Sequence, residues 1–360
     1  FGGEGISMLT SYAFGYYIPG KNSLENNILY VKSFKDKYIL GTPSGFHLFD
    51  PVTGKSVSFT DLTRQVGNRE IICYYMGKDN SLWIGTGGNG LFMRNSSGSV
   101  NLIYRSGDSG ADFINDIEIE NQNIWLATTN GVIVLDKNSG SEKKRFDINN
   151  GLPHNSINKI MVAVDGNVYI GTESDRVYKI DSKFNLISVN GIMSGNPNNK
   201  ILSFSQSRDG AIWAATKSNG VFKFLNDSVY AINRSDDLMS NYCYSIIADS
   251  ENDVWIGHEK GFSRFNTDKG TMRIFGTDFV KGGVCNPDGM FESADHKIFI
   301  GTTEGLIIYD RLKDSKNMIA PLTNINYILI NDIKYDYQPS FILPYNKKYI
   351  IKINYVGISF

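Results

Sequence analysis

Residues 212–224 read IWAATKSNGVFKF, and the same string recurs with drift six more times along the chain. It appears as YILGTPSGFHLFD at 38–50, LWIGTGGNGLFMR at 82–94, IWLATTNGVIVLD at 124–136, VYIGTESDRVYKID at 168–181, VWIGHEKGFSRFN at 254–266 and IFIGTTEGLIIYD at 298–310. Every copy holds a Gly or Ala, almost always followed by Thr, at Gly41, Gly85, Ala127, Gly171, Ala215, Gly257 and Gly301. Those positions lie 44, 42, 44, 44, 42 and 44 residues apart, a pace that chance resemblance between short strings does not keep. The chain is therefore an array of seven units.

Each unit reads as four short strands. An apolar stretch such as INKIMVAV comes first, then a turn such as Asp165-Gly166 or Asp209-Gly210, then the aromatic strand ending in Gly-Thr. A second tight turn leads to a strand such as GVIVLD, and the polar turn Asn138-Ser139-Gly140 leads to a weak outer strand, KKRFDI. Gly and Asp-Gly punctuation several times per unit would break the helices of a helical repeat of this length. A four-stranded unit cannot bury both its faces alone. Seven in series do so by closing into a ring, which also leaves only short edges. The fold class is all-β: a seven-bladed β-propeller with four-stranded blades.

That fold gives each recurring position a role. The aromatic residue two places before the repeat Gly or Ala (Trp83, Trp125, Tyr169, Trp213, Trp255, Phe299) is expected to pack between adjacent blades. The recurring hydroxyl (Thr42, Thr86, Thr128, Thr172, Thr216, Thr302) is expected to bond backbone in the turn it precedes. Gly45, Gly90, Gly131, Gly220, Gly261 and Gly305 open the third strand and should supply a positive φ or a close approach, whereas the fourth unit has Arg176 there. The last unit lacks a good outer strand, since KNMIAP runs into Pro321, while SYAFGYYI looks like an outer strand without a blade. Residues 12–17 are therefore expected to complete the seventh blade. The domain reading is a remnant of a preceding repeat at 1–10, the propeller at 11–318, and at 319–360 the first strands of an incomplete Ig-like β-sandwich. The sandwich strands show as three alternating runs whose partners are expected beyond Phe360.

Composition narrows the function. Lys plus Arg is 36 and Asp plus Glu is 37, so no basic surplus exists to neutralise a phosphate backbone, and nucleic acid is excluded as a partner. No apolar run reaches the length of a membrane span, and FGGEGISML lacks the basic and apolar parts of a signal peptide. Cys73, Cys243 and Cys285 are odd in number and have no CxxC spacing, so they read as buried free thiols, with no disulfide, metal site or cofactor implied.

The xWIGTxxGLxxxD core, preceded by GLPHNSI at 151–157 in the fourth unit, resembles the two-component regulator propeller repeat. The C-terminal run resembles the start of the Tyr-rich β-sandwich that follows such propellers. Together they resemble the sensor region of a Bacteroidetes hybrid two-component histidine kinase. In that family two propellers precede the sandwich, a membrane helix follows, and the cytoplasmic part carries kinase, receiver and DNA-binding modules. The resemblance implies a periplasmic region, membrane-attached only through a segment outside this stretch and a homodimer through the sandwich. It would detect glycans or their oligosaccharide products and control polysaccharide-utilisation genes. The chain departs from the repeat consensus at Arg176 and His258, and the family offers no invariant binding or catalytic motif to carry over.

In a propeller, the loop entering the innermost strand and the loop between the second and third strands share one face around the channel mouth. Recognition is expected there. Asn27, Asn155, Asn199, Asn241 and Asn286 recur in register and read as turn residues. Seven identical loops cannot bind a small asymmetric ligand, so pattern breakers are the better candidates. Arg69 replaces the recurring Asn, His258 replaces the Thr, and Arg176 replaces the turn Gly. Glu173, Asp175, Lys217, Glu259 and Lys260 add charges in the matching loops, Phe113 and Tyr242 could stack on a sugar face, and His154 lies in the long NNGLPHNSI loop. Three functions compete: a ligand sensor, a propeller glycosidase or lyase, and a spacing or dimerisation scaffold. SRDGAIW resembles the structural Asp-box turn of sialidases, but no catalytic carboxylate pair stands out, so this stretch is read as non-enzymatic.

Overall fold

The structure, a computed structural model, describes residues 13–358 apart from 63, 174–175, 190–198, 227, 277–282, 315–321, 337, 339 and 346. The expected remnant at 1–10 and the candidate Asp175 lie outside the described residues. The chain divides into two compact units, Phe14–Tyr309 and one that continues from Asp310.

The first unit consists of seven four-stranded antiparallel sheets, the blades of a propeller. The fifth blade shows the plan. Its innermost strand is Ile201–Gln206, its second Ile212–Thr216, its third Val221–Leu225 and its outer strand Ser228–Ile232, bonded in chain order. The seventh blade takes Cys285–Glu292, Lys297–Thr302 and Gly305–Asp310 from one end of the chain and its outer strand, Phe14–Tyr17, from the other. Phe14 pairs with Tyr309 and Tyr17 with Leu306, so the ring closes as the sequence leads one to expect.

The core lies between blades. Trp125 of the third blade packs among Ile157, Ile160, Val168 and Ile170 of the fourth, and Trp213 of the fifth packs among Cys243, Ile246, Val254 and Ile256 of the sixth. Phe299 of the seventh meets Ile28, Val31 and Leu40 of the first. The repeat Gly or Ala lets the second strand approach the next blade. A Cβ on Gly171 would lie 2.6 Å from Ile201 Cβ. Three indole N–H groups are held beneath: Trp83 donates to Ser81 Oγ at 3.0 Å, Trp213 to Ser207 Oγ at 2.9 Å and Trp255 to Asp249 Oδ2 at 2.8 Å, whereas that of Trp125 has no partner among the described residues.

Turn chemistry follows the repeat. Thr216 Oγ1 donates to Gly220 O at 2.9 Å and accepts from Asn219 N at 3.1 Å, and Thr42, Thr86, Thr128 and Thr302 close their turns by the same donation. Gly220 has φ 78°, and its N donates to Asn241 O of the next blade at 2.8 Å. A Cβ there would meet Ile232 O at 2.3 Å. In the fourth blade, where Arg176 stands in place of the Gly, the bond from Thr172 Oγ1 to Arg176 O is stretched to 3.5 Å. All three cysteines are free and buried.

The second unit holds a three-stranded antiparallel sheet in the order Ile333–Asp336, Leu322–Ile330, Ile351–Ile358. Register puts Ile328, Ile330, Ile333, Tyr335, Ile351 and Ile353 on one face and Tyr327, Leu329, Lys334, Lys352 and Asn354 on the other. On the first face Ile328 and Ile330 of the central strand are buried, whereas Ile351 and Ile353 of the edge strand are 52% and 53% exposed.

Candidate functional site

Among the described residues, five blades tie the turn between second and third strands to the segment that enters the same blade's innermost strand. Lys217 N donates to Lys200 O at 2.9 Å, Glu259 N to Tyr242 O at 3.2 Å, and Thr303 N to Val284 O at 2.9 Å. These bonds hold the loops together on one face, around the mouth of the central channel. The recurring Asn residues build that frame. Asn199 Oδ1 accepts from Ser218 N at 3.0 Å, and Asn241 Oδ1 accepts from Arg234 N at 2.9 Å.

Most sequence candidates sit on this face without converging. Arg69, His154, Arg176, Lys217, Tyr242, Glu259 and Lys260 are exposed, and Phe113 and Glu173 are half-buried. Tyr242 and Glu259 share the backbone bond just described, and Ser240 Oγ donates to Glu259 Oε1 at 2.8 Å. Glu173 pairs with Lys200 and accepts from Ser156 Oγ at 3.4 Å. His258 is fully buried, and its Nε2 lies 2.9 Å from Ser263 Oγ while Nδ1 accepts from Lys260 N at 3.3 Å. Its ring holds the turn that a Thr hydroxyl holds elsewhere. Burial pushes its pKa down to about 4, so the ring is neutral.

The channel itself is built from the innermost strands. In five of them one residue bulges out of register near the strand start, and the bulged Ile72, Asn115, Asn158 and Leu202 turn to the channel. The seventh blade departs from this plan. Four residues, 286–289, stand opposite the single Gly301, and they carry Pro287 and Asp288 into the channel. Ser203 Oγ of the fifth blade donates to Pro287 O at 3.1 Å, and Lys159 of the fourth pairs with Asp288. Lys159 Nζ also lies 3.0 Å from Asp116 Oδ2 of the third.

This ionic strut divides the channel. On the loop-bearing side lies a cavity of about 250 Å³, walled by Leu29, Ile72, Asn115, Asn158, Leu202 and Pro287, with Lys200 beside it and Lys159 and Asp288 at its floor. On the far side lies one of about 200 Å³, walled by Tyr30, Lys32, Tyr75, Met76, Glu118, Met161 and Phe204 and closed by the same Lys159 and Asp288. A larger groove of about 440 Å³ runs between the fourth and fifth blades, but its carboxylates are taken. Asp209 serves Ser207 and Lys223, and Asp165 serves Asn167.

Burial sets the charge states. It raises Asp116 to about 6 against the pull of Lys159, and it raises Glu118 to about 8, with Asp116 adding to the rise. Burial alone would lower Lys159, but Asp116 and Asp288 outweigh it and keep the ammonium protonated. Glu118 has no hydrogen-bond or ion-pair partner among the described residues. No group of three His, Cys, Asp or Glu side chains among them could hold a metal ion.

Sequence reasoning passed over this interior. Its signal was present. Cys73, Asp116, Lys159, Ser203 and Ser245 share one register position, and two of them are charged where the others are small. The string Asn286-Pro287-Asp288-Gly289 interrupts a strand that other units leave unbroken.

No family model and no curated protein matches the chain. Solved structures do. The extracellular domain of a hybrid two-component system from B. thetaiotaomicron superposes with a TM-score of 0.74 at 20% identity, over 94% of this chain and 46% of that one. That of a one-component system from the same organism gives 0.68 at 17% identity, over 89% and 43%. The fold is that of these extracellular domains. A streptogramin B lyase also matches, with a TM-score of 0.65 at 14% identity over 82% of this chain and 96% of the lyase. The chain spans less than half the length of the two extracellular domains. Among the described residues no helix is long and apolar enough to cross a membrane.

Proposed function

We propose that the chain is the periplasmic ligand-sensing region of a hybrid two-component sensor kinase that detects glycans or their oligosaccharide products and signals to polysaccharide-utilisation genes. The observation that carries this reading is the fold shared with bacterial extracellular domains across 94% of the chain. The channel supports a binding role over a catalytic one. Glycoside hydrolysis needs two free carboxyl groups flanking a bond. Between Asp116 and Asp288 the Lys159 ammonium instead fills the space where such a bond would have to lie.

The three C-terminal strands are the opening of a sandwich whose remaining strands cover the exposed Ile333, Ile351 and Ile353. The region pairs as a homodimer through that sandwich, and a ligand signals by its differential affinity for two arrangements of the pair. Titrating oligosaccharides into the complete extracellular region by calorimetry tests the reading. Saturable binding by a glycan that also induces the target genes is expected. Induction by a different class of molecule, with no glycan bound, would overturn it.

A further inference from the structure

Resting on that reading, we infer that the loop-side cavity of the channel receives the neutral terminal sugar of a glycan, so the protein recognises chain ends and not internal segments. Three observations lead there.

The cavity is a dead end. Its floor is the strut of Lys159 with Asp288, reinforced by the Ser203 bond to Pro287 O, so nothing threads through the ring. Its volume, about 250 Å³, is below the roughly 300–1,000 Å³ of pockets that enclose drug-sized ligands. One sugar ring fits such a space, and a run of rings does not.

The lining suits a neutral ring. Asn115 Nδ2 donates to Ile157 O at 2.7 Å and Asn158 Nδ2 to Thr172 O at 3.2 Å. Each amide thereby keeps its oxygen as an acceptor for hydroxyl donors. Leu29, Ile72, Leu202 and Pro287 offer aliphatic surface to the C–H face of a ring. The charges are already neutralised: Lys159 faces two carboxylates and Lys200 is held by Glu173. An acidic sugar would meet Asp288 with no spare cation beside it and pay a desolvation cost.

The experiment uses the complete extracellular region and neutral polysaccharides (galactan, arabinan, xylan, levan), with polygalacturonate for comparison. Each is supplied intact and as a partial acid hydrolysate at equal sugar mass, and binding is read by calorimetry. Hydrolysates of one neutral glycan are expected to bind in proportion to their chain ends and the intact polymer far more weakly. Ile72→Trp and Leu202→Trp fill the cavity from two sides, and Asn158→Ala removes an acceptor. Each is expected to weaken binding at least about tenfold, while Leu102→Ser on an outer strand leaves it unchanged. Thermal unfolding confirms that each variant is folded, and Asn158→Ala decides the matter if the Trp variants are not. Equal binding of polymer and hydrolysate, or binding that survives in the folded cavity variants, would overturn the chain-end inference and leave the sensor reading intact. Failure of every saccharide in both forms would remove the reading beneath it.

Discussion

Lys159 Nζ lies 3.0 Å from Asp116 Oδ2 and also pairs with Asp288, so one ammonium joins the third, fourth and seventh blades across the axis of the ring. Asp116 is held from a second side, its Oδ2 accepting from Ile160 N at 3.0 Å. Buried charge of this kind is weak as a source of net stability, because desolvation offsets most of the Coulombic gain. Removing one partner is another matter.

Lys159→Met leaves two carboxylates facing each other in the channel. It is expected to lose about 3–5 kcal/mol in urea unfolding. Adding Asp116→Asn and Asp288→Asn to it should recover most of that loss, because no unpaired charge then remains. A single variant as stable as the parent would show that water reaches these groups freely.

Glu118 gives the fold a pH dependence of unusual sign. Its folded pKa, raised by burial to about 8, stands above the ordinary 4.5. Between those values the folded state binds more protons than the unfolded one, so stability falls as pH rises. Asp116 acts in the same direction but is exhausted near 6, and the buried His258 acts in the opposite direction only below its ordinary 6.5. From pH 6.5 to 8 the slope therefore belongs to Glu118 among these three, at up to about 1.4 kcal/mol per pH unit. Urea titrations across that window should show the decline in the parent and a flatter line in Glu118→Gln.

The ring was legible because its physics is periodic. Gly171 must be small where it meets Ile201, and Gly220 must take a positive φ under the carbonyl of Ile232, so the same residues return every turn of the array. Even the closure could be read, since Phe14–Tyr17 alternates like a strand that has no sheet of its own. The channel interior was not legible. A charge on an innermost strand has no local signature that says whether it meets water or another blade. Lys159 meets Asp288 over 129 positions of sequence, and only the closed ring brings them together. Seeking binding residues among pattern breakers found the exposed rim at Arg69 and Lys260 but also took His258, whose irregularity is a buried repair of its own turn.

That repair can be undone. His258 is neutral with a folded pKa near 4, so protonation of the unfolded chain erodes stability as pH falls from 6.5 toward 4. His258→Thr restores the repeat residue and removes the titrating group. Relative to the parent, it is expected to gain on the order of 2–3 kcal/mol at pH 4 over its value at pH 7. Groups common to the two proteins cancel in that difference. A constant offset at all pH values would mean that the imidazole titrates freely.

Closure by the two chain ends concentrates a disproportionate role on Phe14. Its ring lies 5.0 Å from both Phe275 and Tyr309 and 5.8 Å from Phe262, so it packs the seventh blade against the outer part of the sixth. Phe14→Ala is expected to cost about 3 kcal/mol, the lower end for losing an aromatic side chain, because Phe14 is only half-buried. Tyr230→Ala, on the exposed outer strand of the fifth blade, removes a ring of similar size but should stay within about 0.5 kcal/mol of the parent. The two substitutions also differ in where they loosen the ring. Each internal blade is one unbroken piece of chain, whereas the seventh is held together only by noncovalent pairing of Phe14–Tyr17 with Gly305–Asp310. Loosening that pairing frees the edge of the third strand first, so hydrogen exchange in Phe14→Ala should accelerate at Leu306–Tyr309 before the internal blades respond. Uniform acceleration around the ring would show instead that closure and blade packing unfold as one unit.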